Sequence, residues 1–313
     1  MRKRTTTINW LARRQGQSMA PIQPRKQACV VLSFVGMLCC STAQAQIPVT
    51  SCQTLGTAGN YVLTGNLSAL GGSNCIKVWD DDVTFDLNGY KIVGSGAGAG
   101  IYVRPTVTGV KLMNGAIERF NHAVNAQSAS VSIVGLTARH HTSIALWLGT
   151  SSRVVDSLIE NNGTGITAGA NAKILRNTIR VHSALGIYCG DHSGPGSCTI
   201  ENNSIDDSGI GGIRTIGGSH DIVGNYVSGS PTGILVIHSG NLVRNNRLVA
   251  NGGGLSTSRG SQTVIGNLFF DNSGRGALVK CPSLVTDNHA TANGGTNLQY
   301  DGVGCLTSDN LVQ

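Results

Sequence analysis

Short apolar segments of four or five residues, rich in Val, Ile and Leu, recur along the chain between clusters of Gly, Asn and Ser. Segments that open on an apolar residue begin at Ile76, Ile101, Val124, Leu146, Ile166, Ile187, Ile213, Ile234, Leu255, Ala277 and Leu298. The spacing is about 21 residues, with intervals from 20 to 26. Many follow a glycine, as in "NGTG-ITA", "SPTG-ILV" and "NGGG-LST". A second apolar segment comes next, then an asparagine: Asn88, Asn114, Asn177, Asn203, Asn225, Asn246, Asn267, Asn288 or Asn310. Gly135 and Ser157 hold that slot in the third and fourth repeats.

A strand buries only alternate side chains, so one turn of short strands cannot close a core by itself. Turns stacked about 4.8 Å apart pair every strand with the ones above and below and bury a continuous interior. Asparagine suits the corners, because it tolerates left-handed backbone and its amides can hydrogen-bond in a ladder from turn to turn. The pattern predicts an all-β, single-stranded parallel β-helix of about 11 turns, roughly 50 Å long at that spacing. A helical solenoid is excluded by the short β-branched segments between turn residues. A β-sandwich would not repeat one motif at a near-constant period. Residues 46–75 are read as an N-terminal cap segment and 76–313 as the β-helix domain.

The beginning of the chain has a different character. Arg25 and Lys26 precede an apolar run from Ala28 to Cys40, and Ala43-Gln44-Ala45 follows. A basic segment, a short apolar segment and a small-x-small site together read as a secretory signal peptide covering residues 1–45, with Met19 as an alternative start. The run is too short for a transmembrane helix. Removal of this segment changes the charge. Seven of the 23 Lys and Arg precede the cleavage site and none of the 16 Asp and Glu does, so the remainder is formally neutral. That excludes the basic footprint of a nucleic-acid binder. Six cysteines remain: Cys52, Cys75, Cys189, Cys198, Cys281 and Cys305. An even number in an exported chain points to disulfides, and the repeat register favours the local pairs 52–75, 189–198 and 281–305.

The opening "YVLTGNLS…CIKVWDDDVTFDLNGYKIVG" and the "NGTG-I" repeats, from Tyr61 to Gln313, resemble the right-handed parallel β-helix superfamily, which includes pectate lyases, polygalacturonases and alginate epimerases. The resemblance implies a right-handed coil and an active face mid-rod, on the strand that opens each turn. Its motif is structural and does not itself specify an activity.

On that opening strand the first and third residues face in and the second and fourth face out. The outward set contains Trp79, Tyr102, Arg104, Trp147, Tyr188 and Arg214. Flat rings beside amides and cations are the equipment of sugar recognition, and these six are the expected substrate-binding residues for a polysaccharide or oligosaccharide partner. A second stripe precedes the strand: His122, Arg139-His140-His141, Glu160, Arg180, His182 and Asp206-Asp207. Asp191-His192 lies between Cys189 and Cys198. His140, His141, His182 and Tyr188 are candidate bases, and Arg104, Arg139, Arg180 and Arg214 are candidate carboxylate holders, with Arg180 carried forward among the catalytic candidates.

Three functions fit these residues. A lyase or epimerase on acidic glycans needs a base near the sugar C5 proton and a cation opposite the carboxylate. A glycoside hydrolase needs paired carboxylates. The aspartates that polygalacturonases carry on this strand have no counterpart in turns two to five, so a hydrolase is disfavoured. The Asp-Pro-His-Asp motif of alginate epimerases is also missing, with "GDHSG" a partial echo. A non-catalytic surface or carbohydrate-binding protein is the third. No cofactor is expected. Asp80-Asp81-Asp82 offers oxygens for Ca²⁺, but neighbouring carboxylates on a strand point to opposite sides, and a turn is the better reading. The sequence is taken forward as an exported, carbohydrate-interacting β-helix.

Overall fold

The structure is a computed structural model that describes residues 45–69, 71–190 and 196–313. The expected leader up to residue 44 and the pair Asp191-His192 lie outside them. The described residues form thirty-five strands and no helix, so no helix is long and apolar enough to cross a membrane. The pairings are parallel from the first, Gln46–Val49 on Gly59–Leu63, to the last, His289–Thr291 on Leu311–Val312.

One face of the coil is a twelve-stranded sheet running from Thr54–Leu55 to Leu298–Asp301, here the first face. Two further strands per turn make the second and third faces. These merge into one 23-stranded sheet, because Val110–Glu118 and Val131–Arg139 run unbroken around the corner between them. All eleven sequence anchors fall in one pairing line, from Ile76 opposite Ile101 to Ala277 opposite Leu298. Thr54–Leu55 adds a turn ahead of them, and Gln46–Val49 and Gly59–Leu63 stack on Val83–Asp86, so residues 46–69 begin the coil.

The anchors and the alternate residues beyond them fill the interior. Ile101, Val124, Leu146, Ile166 and Ile187 are fully buried, each contributing about 1.5–3 kcal/mol relative to an exposed side chain. Small residues precede them because the chain enters the first face against the wall of the core. A Cβ on Gly212 would lie 2.3 Å from Val227 Cγ1, and one on Gly254 would lie 2.1 Å from the Gly276 carbonyl oxygen.

Between the second and third faces runs the asparagine ladder. The Asn246 amide oxygen accepts from the backbone N–H and the Nδ2 of Asn225, at 2.9 and 3.0 Å. Asn246 Nδ2 donates in turn to Asn267 Oδ1 at 3.0 Å and to the Ile222 carbonyl at 2.8 Å. The pattern runs from Ser157 through Asn177 and Asn203 to Asn310.

The ladder residue is not the one that takes left-handed backbone. That role belongs to the position before it: Arg176, Asn202, Gly224, Asn245, Gly266, Asp287 and Asp309 have φ between 52° and 66°. Asn88 and Asn114, expected in the ladder, are exposed and left-handed, at φ 51° and 58°. Gly135 is likewise left-handed, at φ 62°, and Leu136 takes the inward slot. Asparagine suits both adjacent positions for different reasons, one conformational and one hydrogen-bonding, so a sequence period cannot separate them.

The other two corners use the same pair of roles. Between the third and first faces, left-handed His140, Asn161, Val181, Asp207 and Ala250 precede inward His141, Asn162, His182, Ser208 and Asn251. Between the first and second faces, Cys198, His220, Asn241, Gln262 and Ser283 form a third ladder. The three disulfides join the expected partners. Cys52–Cys75 and Cys281–Cys305 staple adjacent turns near the two ends, with Cα separations of 4.5 and 5.0 Å, and Cys189–Cys198 closes a local loop.

Candidate functional site

The outward positions of the first face form a single line, because parallel pairing in register stacks like position on like. Lys77 lies opposite Tyr102, Tyr102 opposite Asn125, Asn125 opposite Trp147, Trp147 opposite Thr167, Thr167 opposite Tyr188, and Tyr188 opposite Arg214. Tyr102, Trp147 and Tyr188 are therefore two turns apart along one line, each half-buried. The line continues through Leu235 and Ser256. Trp79, 51% exposed, and Arg104 border it near the N-terminal end, where with Asp80, Asp81 and Thr106 they line a concavity of about 200 Å³. There the acidic triplet forms a turn: Asp81 accepts from the Thr108 N–H and hydroxyl at 2.6 and 3.1 Å, and Asp82 is left-handed at φ 52°.

Trp147 does not stand alone. Its ring meets the His122 imidazole at a centroid distance of 5.3 Å and an interplanar angle of 49°. His122 comes from the second sequence stripe, and the structure brings it to the first.

The charged members Arg139, Glu160, Arg180 and Asp206 of that stripe lie around the corner, on the outer side of the third face. Glu118, Arg139, Glu160, Arg180 and Asp206 occupy one pairing line on consecutive turns, with Ser228 after them. Charge alternates along it. Arg139 donates to Glu118 Oε1 through Nε and Nη2, at 3.1 and 2.7 Å, and reaches Glu160 at 3.7 Å. Arg180 donates to Glu160 Oε2 through Nε and Nη2, at 2.9 and 2.7 Å. Asp206 accepts from the Ser228 hydroxyl. Burial alone would raise the Glu118 carboxyl, but the Arg139 guanidinium bonded to it holds it below its ordinary range. Glu118 was missed in the sequence, although it lies 21 residues before Arg139 and belongs to the same repeat position.

The histidines divide. His140 is exposed at the left-handed corner position, φ 61°. His141 and His182 are 4% and 3% exposed and occupy rungs of the inner ladder. The Phe120 N–H donates to His141 Nδ1 at 3.2 Å, and His141 Nε2–H donates to the Ile117 carbonyl at 3.0 Å. The Asn162 N–H donates to His182 Nδ1 at 3.3 Å. Burial pushes both imidazoles down to about 4, so they are neutral near pH 7. The signal that could have placed them was alignment with Asn162, Ser208, Ser230, Asn251 and Asn272, which share their slot. Arg214 differs from Arg139 and Arg180: among the described residues no carboxylate bridges it, and its Nε is buried without a hydrogen-bond partner.

The fold has counterparts among solved structures. The Dettilon tailspike protein gp208 superposes with a TM-score of 0.54 at 15% identity, covering 82% of this chain and 60% of its own. The periplasmic alginate epimerase AlgG gives 0.54 at 12% identity, covering 85% and 75%. The A-module of the Azotobacter vinelandii mannuronan C-5 epimerase AlgE4 gives 0.50 at 11% identity, covering 86% and 89%. This chain thus spans less than two thirds of the tailspike. Identities this low establish the coil alone. Comparison with curated proteins by sequence finds no match. The family described as right handed beta helix region matches residues 58–227 and 166–312, nearly all of the repeat. With its turns in one parallel register and its corners laddered, the chain belongs to the right-handed β-helix family.

Proposed function

We propose that the first face binds a polysaccharide lying along the coil, with Tyr102, Trp147 and Tyr188 as stacking platforms. The observation that carries this reading is the pairing line that sets all three rings outward, two turns apart. Two turns are roughly 9–10 Å, too far for ring contact and comparable to two sugars along a chain. Arg214, next to Tyr188, and Arg104, beside Trp79, supply hydrogen-bond donors that no carboxylate of the described residues engages. The similar coils of an alginate epimerase and a mannuronan C-5 epimerase are consistent with a glycan partner. Three disulfides fit a periplasmic or extracellular chain.

The reading is of binding rather than turnover. Two of the three candidate imidazoles serve a buried ladder, and Arg139 and Arg180 are held by glutamates. The test pairs Trp147→Ala with the parent on oligomannuronate, oligogalacturonate and cellohexaose, measuring affinity and melting on the same samples. We expect at least one glycan to bind the parent, affinity to fall at least several-fold in the variant, and melting to change little. No binding to any of the three, unchanged affinity, or a melt lowered as far as by deletion of a core leucine, overturns the proposal.

A further inference from the structure

His122 is 6% exposed, at the start of the strand His122–Ala126 on the first face. Its Nδ1 lies 2.7 Å from the carbonyl oxygen of Ile144. A carbonyl only accepts, so Nδ1 carries the hydrogen. Ile144 begins the strand Ile144–Leu148, which carries Trp147. The imidazole thus grips the indole's own strand by one atom and packs its ring, tilted, against the indole.

The other nitrogen completes the clamp. Nε2 lies 3.0 Å from Asn121 Nδ2, and the neutral imidazole accepts there from the amide. The amide oxygen, Asn121 Oδ1, lies 3.1 Å from the Thr142 hydroxyl, which is also 3.1 Å from the Gly96 carbonyl and has one hydrogen for the two. A proton added to Nε2 would meet the amide N–H₂, donor against donor. Relief requires the amide to turn over, with the Thr142 hydrogen given to Gly96 and its oxygen accepting from Nδ2, so protonation cannot leave the clamp as it stands.

We infer that His122 is a positioning residue for the Trp147 platform: neutral, it fixes the indole's tilt on the first face, and its protonation releases that tilt. The inference rests on the first face being the glycan groove, and it adds a pH dependence to that face. Burial disfavours the imidazolium and lowers His122, with the Ile144 carbonyl partly opposing it. Among titratable neighbours, Tyr102 stands on the strand packed before His122, the strand carrying Trp147 has none, and His141 faces it from the corner between the third and first faces as a neutral ring. Arg139, at the end of the strand leading into that corner, is engaged by glutamates.

The test needs no ligand, so its outcome is independent of whether any glycan binds. In a Trp10→Phe/Trp79→Phe background Trp147 is the only tryptophan, so the emission reports the surroundings of that indole alone. We expect the emission maximum to move to the red in one protonation step below the ordinary histidine range, as the freed indole meets more solvent, while the far-ultraviolet circular dichroism is still native. In His122→Phe, which keeps a ring against the indole, that step should vanish. If His122→Phe does not fold, the Trp147 indole N–H resonance of the unmutated chain should move with the same midpoint as the His122 ring protons. A step that persists in His122→Phe, an emission flat until the chain unfolds, or an indole resonance that ignores the His122 titration overturns the inference. A failure of Trp147→Ala to weaken glycan binding would instead remove the groove and leave the clamp standing.

Discussion

Two outward lines run along this coil on adjacent faces. One carries Glu118, Arg139, Glu160, Arg180 and Asp206; the other carries Tyr102, Asn125, Trp147, Thr167, Tyr188 and Arg214. Density of charge and of histidine marks the first as the reactive stripe. In three dimensions its glutamates and arginines pair, Asp206 takes the Ser228 hydroxyl, and His141 and His182 accept ladder N–H groups beneath the surface, with His182 Nε2 buried and unbonded. The second line has fewer charges, but Arg214 meets no acid among the described residues and the rings stand at regular intervals. A cluster is a site only when its groups have partners left to find, and stacking in register makes neighbours satisfy each other first.

The comparison can be broken in several ways, and the largest effect is acid destabilisation. His141 and His182 sit near 4 in the folded chain against an ordinary 6.5, so the unfolded chain takes up the protons first. Their contribution is whole above pH 6.5 and is lost as the pH falls toward 4, on the order of 3 kcal/mol for each ring. Urea midpoints across that range should fall steeply, and His141→Asn, which offers the same slot an uncharged acceptor, should flatten the fall. An unchanged slope would return His141 to the list of reactive groups. Next is His141→Ala, which strands the Phe120 N–H and the Ile117 carbonyl and should cost about 2–3 kcal/mol in urea titration while leaving glycan affinity at the parent value.

Arginine substitutions sharpen the contrast directly. Arg214→Ala should weaken binding of the glycan identified with Trp147 several-fold, whereas Arg139→Ala should leave it unchanged. Equal effects in isothermal titration would erase the distinction between the two lines. The smallest expected effect is that of Glu160→Gln, which takes the shared acid from between Arg139 and Arg180. It should lower stability by about 1 kcal/mol in dilute buffer and by less in molar salt, since the arginines on either side of the buried glutamate are open to solvent and to screening.

Much of the coil was legible because strand pairing copies the period of the sequence. The eleven anchors share one line, and the cysteine pairs followed from the register. What stayed hidden was one residue wide. The left-handed and ladder slots are neighbours, and asparagine suits both, so Asn88 and Asn114 were placed one role away from their own. Histidine in a ladder is harder to foresee, because an inward acceptor can be His, Asn, Gln or Ser, and His141 shares no residue type with most of its column. The outward line of the first face could be read from alternation alone. The commitments of Arg139 and Arg180 could not, since they depend on Glu118 and Glu160 reaching across turns.

The left-handed slot at the corner between the third and first faces holds Val181 and Ala250 as readily as Asp207 and Gly229. A β-branched residue there is strained, on the order of 1–3 kcal/mol. The coil holds it because the turns above and below dictate the path, so each turn borrows its shape from its neighbours instead of encoding it alone. Mutational tolerance should therefore be a collective property, high at a corner templated by turns on both sides and low wherever only one side supplies a template.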